Sequence, residues 1–142
     1  AEKGGYRHFM LKEIYEQPQV VAQTFRGRID QAKGEIFLDN MELSNEALRS
    51  VERVTIVACG TAWHAALVTK FYIEKFAGLP VDVDYGSEFR YRSNTVTDKT
   101  LFLVISQSGE TADTLGSLMV AADSGAKTMA ICNVVGSSIV RK

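Results

Sequence analysis

The chain has 142 residues, 46% hydrophobic and 23% charged, with 16 Lys and Arg against 17 Asp and Glu. These are globular values for one domain with one core, or one domain plus a tail, and they exclude disorder over the whole length. A net charge of −1 offers nucleic acid or an anionic membrane no electrostatic footprint, and no apolar run approaches the ~18 residues of a membrane span. The start, Ala1 to Arg7, lacks the apolar stretch of a signal peptide. Cys59 and Cys132 each end an apolar run, which suits buried thiols better than a disulfide framework, so the chain reads as cytoplasmic.

In chain order, residues 1–50 read as a helical lead-in. Phe9 to Tyr15 suits a short helix, and Pro18 suits the first position of a second helix running toward Phe25. Gly27 and Gly34 bound a polar stretch, and Ser44 is placed to cap a helix from Asn45 to Ser50. Residues 51–142 then alternate strand, glycine-bearing turn and helix. Val54–Ala58 is a β-rich run closed by Cys59-Gly60, and Thr61–Ala77 is a helix ended by Gly78 and Pro80. Val81–Tyr85 alternates apolar residues with Asp82 and Asp84, the pattern of a strand with a wetter face or near an edge. Ser87 to Arg92 starts a short helix whose arginines read by default as a solvated face. Thr100–Ile105 is a nearly continuous apolar strand, Thr111–Ser124 a helix closed by Gly125, and Thr128–Cys132 a fourth strand. A further helix is expected to begin at Ser137 or Ser138.

Apolar strands separated by helices predict an α/β fold: three αβα layers with an open parallel sheet. Four strands and an unfinished connection predict a sheet incomplete at its C-terminal end.

Ligands of such sheets bind beyond the carboxyl ends of the strands. Two strand-to-helix loops there carry hydroxyls. Ser106-Gln107-Ser108-Gly109-Glu110-Thr111 combines three hydroxyls, one amide and the unpaired N–H groups of a helix start, the donor set that suits a phosphate without a lysine. Glu110 would repel that anion, so it is expected to turn away, toward the helix dipole or a neighbouring backbone group. Plain helix capping and turn shaping explain the same residues nearly as well, and both readings stay open. In Cys59-Gly60-Thr61-Ala62, Thr61 reads first as a helix cap and second as a ligand contact. Cys59 reads as a small buried hydrophobe, and His64 and His8 as structural or surface residues. Gly136-Ser137-Ser138 fits a third anion-facing turn or a cap. The two histidines and two cysteines lack metal-ligand spacing, and neither a phosphate-loop nor a dinucleotide fingerprint occurs.

The run Tyr6-Arg7-His8-Phe9-Met10-Leu11-Lys12-Glu13-Ile14-Tyr15-Glu16-Gln17-Pro18, with the paired loops, Cys132-Asn133 and Gly136-Ser137-Ser138, resembles the glutamine–fructose-6-phosphate aminotransferase family. The likeness spans essentially the whole chain. Its lead-in is the more specific part, because other sugar isomerase (SIS) domains share versions of the serine-rich loop. The resemblance implies the start of an isomerase half, with residues 1–50 as the interdomain connection and 51–142 as most of the first SIS subdomain. It implies that Ser106, Gln107, Ser108 and Thr111 hold the phosphate of fructose 6-phosphate or glucosamine 6-phosphate, with Thr61 and the Ala62 backbone on the sugar. Many relatives have serine where this chain has Ala62, so one hydroxyl contact is lost. No metal or organic cofactor is implied.

The partners implied are a second SIS subdomain, a glutaminase domain and a second copy in a homodimer. The family's Schiff-base lysine, acid–base glutamate and ring-opening histidine, and its glutaminase cysteine, match nothing in these residues. None of those roles passes to Lys142, Glu110, His64, His8 or Cys59, and the chain alone is expected to be inactive. A phosphosugar-sensing SIS domain, or a deglycase or isomerase of another phosphosugar, shares the loop chemistry and remains an alternative.

Overall fold

The computed structural model describes residues 2–38, 41–91 and 95–142. The chain divides into two compact units, Ala1–Met41 and Glu42–Lys142.

In the first unit a single helix, α1 (Phe9–Phe25), replaces the two expected on either side of Pro18. Proline removes one N–H and crowds the carbonyl four residues back, a loss of about 3 kcal/mol in a helix interior. The apolar positions Leu11, Ile14, Val21 and Phe25 nevertheless keep helical spacing across Pro18, and an i,i+4 pair of Lys12 and Glu16 at 3.6 Å supports the first half. The polar stretch after α1 forms a small antiparallel hairpin, β1 (Ile29–Asp30) with β2 (Glu35–Ile36). Asp30 Oδ1 shapes its turn by accepting from the N–H groups of Ala32 at 3.0 Å and Lys33 at 3.2 Å.

The second unit opens with α2 (Asn45–Arg49), where Ser44 Oγ accepts from Ala47 N–H at 3.1 Å, the expected cap. There follow β3 (Arg53–Ala58), α3 (Thr61–Ala77), β4 (Val81–Tyr85), α4 (Gly86–Phe89), β5 (Thr100–Ser106), α5 (Ala112–Asp123) and β6 (Lys127–Cys132). The four strands form one parallel sheet in the order β4-β3-β5-β6. Successive residues of β3 and β5 face opposite sides, so the core splits in two. Val54, Ile56 and Leu103 pack with Ala66 of α3, whereas Val57, Phe102 and Val104 pack with Phe89 of α4 and Leu118 and Ala121 of α5. Helices therefore cover both faces, as the near-continuous apolar strands predict.

β4 ends the described sheet, in keeping with its alternating Asp82 and Asp84. Asp82 pairs with Arg53 of the adjacent β3 at 2.9 Å, while Asp84 is buried and accepts from Tyr85 N–H at 2.9 Å. The short helix after β4 starts one residue earlier than expected, at Gly86, and its Phe89 enters the core against Phe102, with ring centroids 4.8 Å apart. Arg90 lies 3.7 Å from Asp113, and Arg92 lies outside the described residues. After β6, residues 138–141 form hydrogen-bonded turns, such as Arg141 N–H to Ser137 O at 3.2 Å, in place of the expected helix. Among the described residues no helix is long and apolar enough to cross a membrane.

Candidate functional site

The chain leaves β3 for β4 on one side and then returns to place β5 on the other, so strand order reverses between β3 and β5. Diverging connections leave a crevice at the carboxyl ends of such a strand pair. The register sets Ala58 beside Ile105, which puts the two strand-to-helix loops side by side. A cavity of about 150 Å³ lies there, and all six nominated residues, Thr61, Ala62, Ser106, Gln107, Ser108 and Thr111, line it. Cys59, Ile105 and Thr114 complete the wall, so no charged side chain contributes.

The first loop is short. Gly60 occupies the N-cap of α3 at φ 60° and ψ −135°, a conformation that excludes a side chain, and Thr61 is already the first helical residue. This corrects the expectation that Thr61 caps α3: the cap position belongs to a residue with no side chain, and Thr61 faces the cavity instead.

The second loop is shaped by its own serines. Ser106 Oγ accepts from Gly109 N–H at 3.0 Å, and Ser108 Oγ accepts from Glu110 N–H at 3.2 Å. Each hydroxyl then keeps its O–H to donate outward, because a serine has one donor and two acceptor sites. The same bonds occupy the Gly109 and Glu110 N–H groups, whereas the N–H groups of the first turn of α5 have no intrahelical partner and remain to aim at an anion. Thr111 is the N-cap of α5, but its hydroxyl makes no cap bond. Turn shaping by serine is thus present, and capping by Thr111 is not.

Gly109 has φ 67°, and a Cβ there would fall 2.1 Å from Ser137 Oγ and 2.6 Å from Cys132 Sγ. The β6 loop therefore packs directly behind the cavity loop. Ser137 is buried, and its hydroxyl lies 3.3 Å from Cys132 Sγ. Gly136-Ser137-Ser138 is consequently a support, not a third wall of the cavity. Glu110 does not line the cavity and, in the direction expected of it, accepts from a backbone group, Ser138 N–H, at 2.8 Å.

Neither cysteine is fully buried, contrary to expectation, because both sit where strands open into loops. Cys59 Sγ lies 3.6 Å from Thr114 Oγ1 in the cavity wall. His64 is exposed with its ring edge-on to Trp63 at 5.3 Å, and His8 is exposed at the start of α1. Among the described residues no group of three or more His, Cys, Asp or Glu is placed to hold a metal. Thr114, one turn after Thr111, is the wall residue that helical spacing could have revealed; Cys59 and Ile105 carry no such signal.

Residues 47–142 match the SIS domain family. The chain belongs to that family. Over 142 residues this SIS chain is 56% identical to a Clostridium tetani protein named glutamine–fructose-6-phosphate aminotransferase [isomerizing], covering 100% of this chain and 23% of the relative. A Caldanaerobacter subterraneus protein of the same name is 54% identical over 142 residues, again with 100% and 23% covered. In three dimensions the SIS chain is similar to the C-terminal domain of glucosamine-fructose-6-phosphate aminotransferase from Francisella tularensis, with TM-score 0.87 and 48% identity over 99% of this chain and 39% of that one. The chain thus spans about a quarter of the length of the curated relatives it matches, at 23%.

Proposed function

We propose that this chain is the phosphosugar-binding wall of an enzyme that makes D-glucosamine 6-phosphate and L-glutamate from D-fructose 6-phosphate and L-glutamine. The observation that carries this reading is the meeting of Thr61, Ala62, Ser106, Gln107, Ser108 and Thr111 around one uncharged cavity at the point where strand order reverses. Identity of 56% across the whole chain to a relative bearing that enzyme's name supports it.

In this reading the hydroxyls of Ser106, Ser108 and Thr111, the Gln107 amide and the start of α5 hold the phosphate, while Thr61 and the Ala62 N–H face the sugar. Ammonia released by hydrolysis of glutamine to glutamate adds at the C2 carbonyl of the open-chain ketose. The C2–O bond breaks with loss of water to leave an imine, and proton transfer from C1 to C2 yields the 2-amino aldose. The residues of this chain move no proton in that sequence. They bind a part of the substrate remote from the reacting carbons, and that binding energy holds C1 and C2 against catalytic groups supplied by sequence outside this chain. In the same reading the working enzyme acts in the cytoplasm as a homodimer, with residues 1–50 connecting a glutaminase domain to two SIS subdomains.

Calorimetric titration of the full-length protein carrying this chain with glucosamine 6-phosphate tests the reading, alongside Ser106→Ala/Ser108→Ala. Two hydrogen bonds to a charged group are worth about 1.5 kcal/mol each at the low end, so affinity should fall ~100-fold. A folded double variant that binds as tightly as the parent would overturn the assignment.

A further inference from the structure

The cavity loop is held by more than its own strand and helix. Both oxygens of Glu110 reach across to the loop after β6, where Oε1 accepts from Ser138 N–H at 2.8 Å and Oε2 from the Ser138 hydroxyl at 2.7 Å. Arg141 closes the other side, donating to Ser138 Oγ at 3.3 Å and to Gly136 O at 2.6 Å. Beneath it, Ile139 N–H donates to Gly109 O at 3.1 Å. The Ser138 bonds, aided by Arg141, hold the Glu110 carboxyl below the usual carboxylate range. Glu110 therefore stands ionised beside a proposed anion site without lining it. Charge alone would disfavour a carboxylate there.

We propose that Glu110 is a positioning residue for the phosphosugar site, a two-pronged brace to Ser138 that fixes the Ser106–Gly109 turn in its anion-accepting shape. The inference rests on the reading of the cavity given above. It says what that loop needs beyond its own donors: a carboxylate aimed at the loop of the neighbouring strand. Glu110 touches neither phosphate nor reacting carbons, so it acts on the donors and through them on affinity.

The sign of the effect separates the brace from the charge. Removing a negative charge near an anion site tightens binding by Coulomb's law, whereas removing the brace loosens it. In the full-length protein, Glu110→Ala is expected to bind glucosamine 6-phosphate about tenfold more weakly. That is less than the full worth of a charge-assisted pair of bonds, because the brace acts through the donors and its removal also relieves a like charge. Glu110→Gln, which keeps one acceptor for Ser138 N–H, should recover part of that loss. Ser138→Ala should weaken binding severalfold alone and add nothing to Glu110→Ala, because its hydroxyl acts through the carboxylate. In turnover, KM for the sugar phosphate should rise with kcat nearly unchanged.

Affinity in Glu110→Ala equal to or tighter than the parent's would overturn the brace, as would Glu110→Gln losing as much as the alanine. Should Glu110→Ala not fold, Glu110→Gln and Ser138→Ala carry the test, and unchanged affinity in both overturns it. A parent protein that fails to bind glucosamine 6-phosphate sinks the reading of the cavity and the brace with it. A parent that binds, with Glu110→Ala binding as well, sinks the brace alone.

Discussion

The two loops that reach the cavity are built in opposite ways. After β3, the chain enters α3 through Cys59-Gly60, and a Cβ at Gly60 would meet nothing within 4 Å. That glycine answers a backbone demand alone. After β5, the chain makes a longer turn whose Gly109 is both at φ 67° and pressed against Ser137 and Cys132. One loop is positioned mainly by its own strand and helix, with Cys59 Sγ at 3.6 Å from Thr114 Oγ1 as its tie to α5. The other is also positioned by its neighbour, through Gly109 packing and the Glu110–Ser138 pair. The donor-rich part of the site is therefore the part that depends most on tertiary contacts, and disturbances far along the chain should reach it first.

Alanine at the two glycines should separate these modes most clearly. Gly109→Ala adds overpacking of about 1–3 kcal/mol to backbone strain of similar size. Gly60→Ala carries only the strain, about 1–3 kcal/mol. Thermal unfolding should thus rank Gly109→Ala well below Gly60→Ala, and equal losses would break the distinction.

A smaller effect is expected from the short loop's side chains. Thr61→Val removes one hydroxyl at constant shape, and a net hydrogen bond of about 0.5–1.5 kcal/mol predicts a two- to tenfold weaker titration with glucosamine 6-phosphate. A loss as large as that of Ser106→Ala/Ser108→Ala would make the loops equal partners. The smallest signal is a pH trend. Because Ser138 depresses the Glu110 pKa in the fold, its stabilisation is full above the range where an unfolded glutamate titrates. It fades as pH falls through the lower folded value. The melting difference between the parent and Glu110→Gln should shrink on acidification, while that for Thr61→Val should not.

Much of this arrangement was legible in the residues. Thr61–Ala77 was readable as a helix with the bounds observed, since apolar spacing, Gly78 and Pro80 agree. The hydroxyl loop was readable as a turn between an apolar strand and a helix, and turn shaping, which the Ser106 and Ser108 bonds perform, explained its serines nearly as well as anion binding. Pro18 misled because a lone proline is a strong local signal that a continuous apolar stripe overrode. The hairpin at Ile29–Ile36 went unseen because each of its strands has only two residues, too short for any alternation. Thr61 was misread as a cap because sequence does not show which residue adopts the capping backbone angles.

The sequence by itself determined the alternation of strands and helices, the glycine turns and the kind of donor set a ligand would meet. Those follow from local periodicity, side-chain chemistry and backbone freedom, which act over a few residues. Only the tertiary structure decided the order β4-β3-β5-β6, which brings Thr61 and Ser106 to one cavity, and the reach of Glu110 to Ser138. Apolar strands of similar composition satisfy burial in several orders. A carboxylate finds donors 28 residues downstream only when β5 and β6 lie side by side.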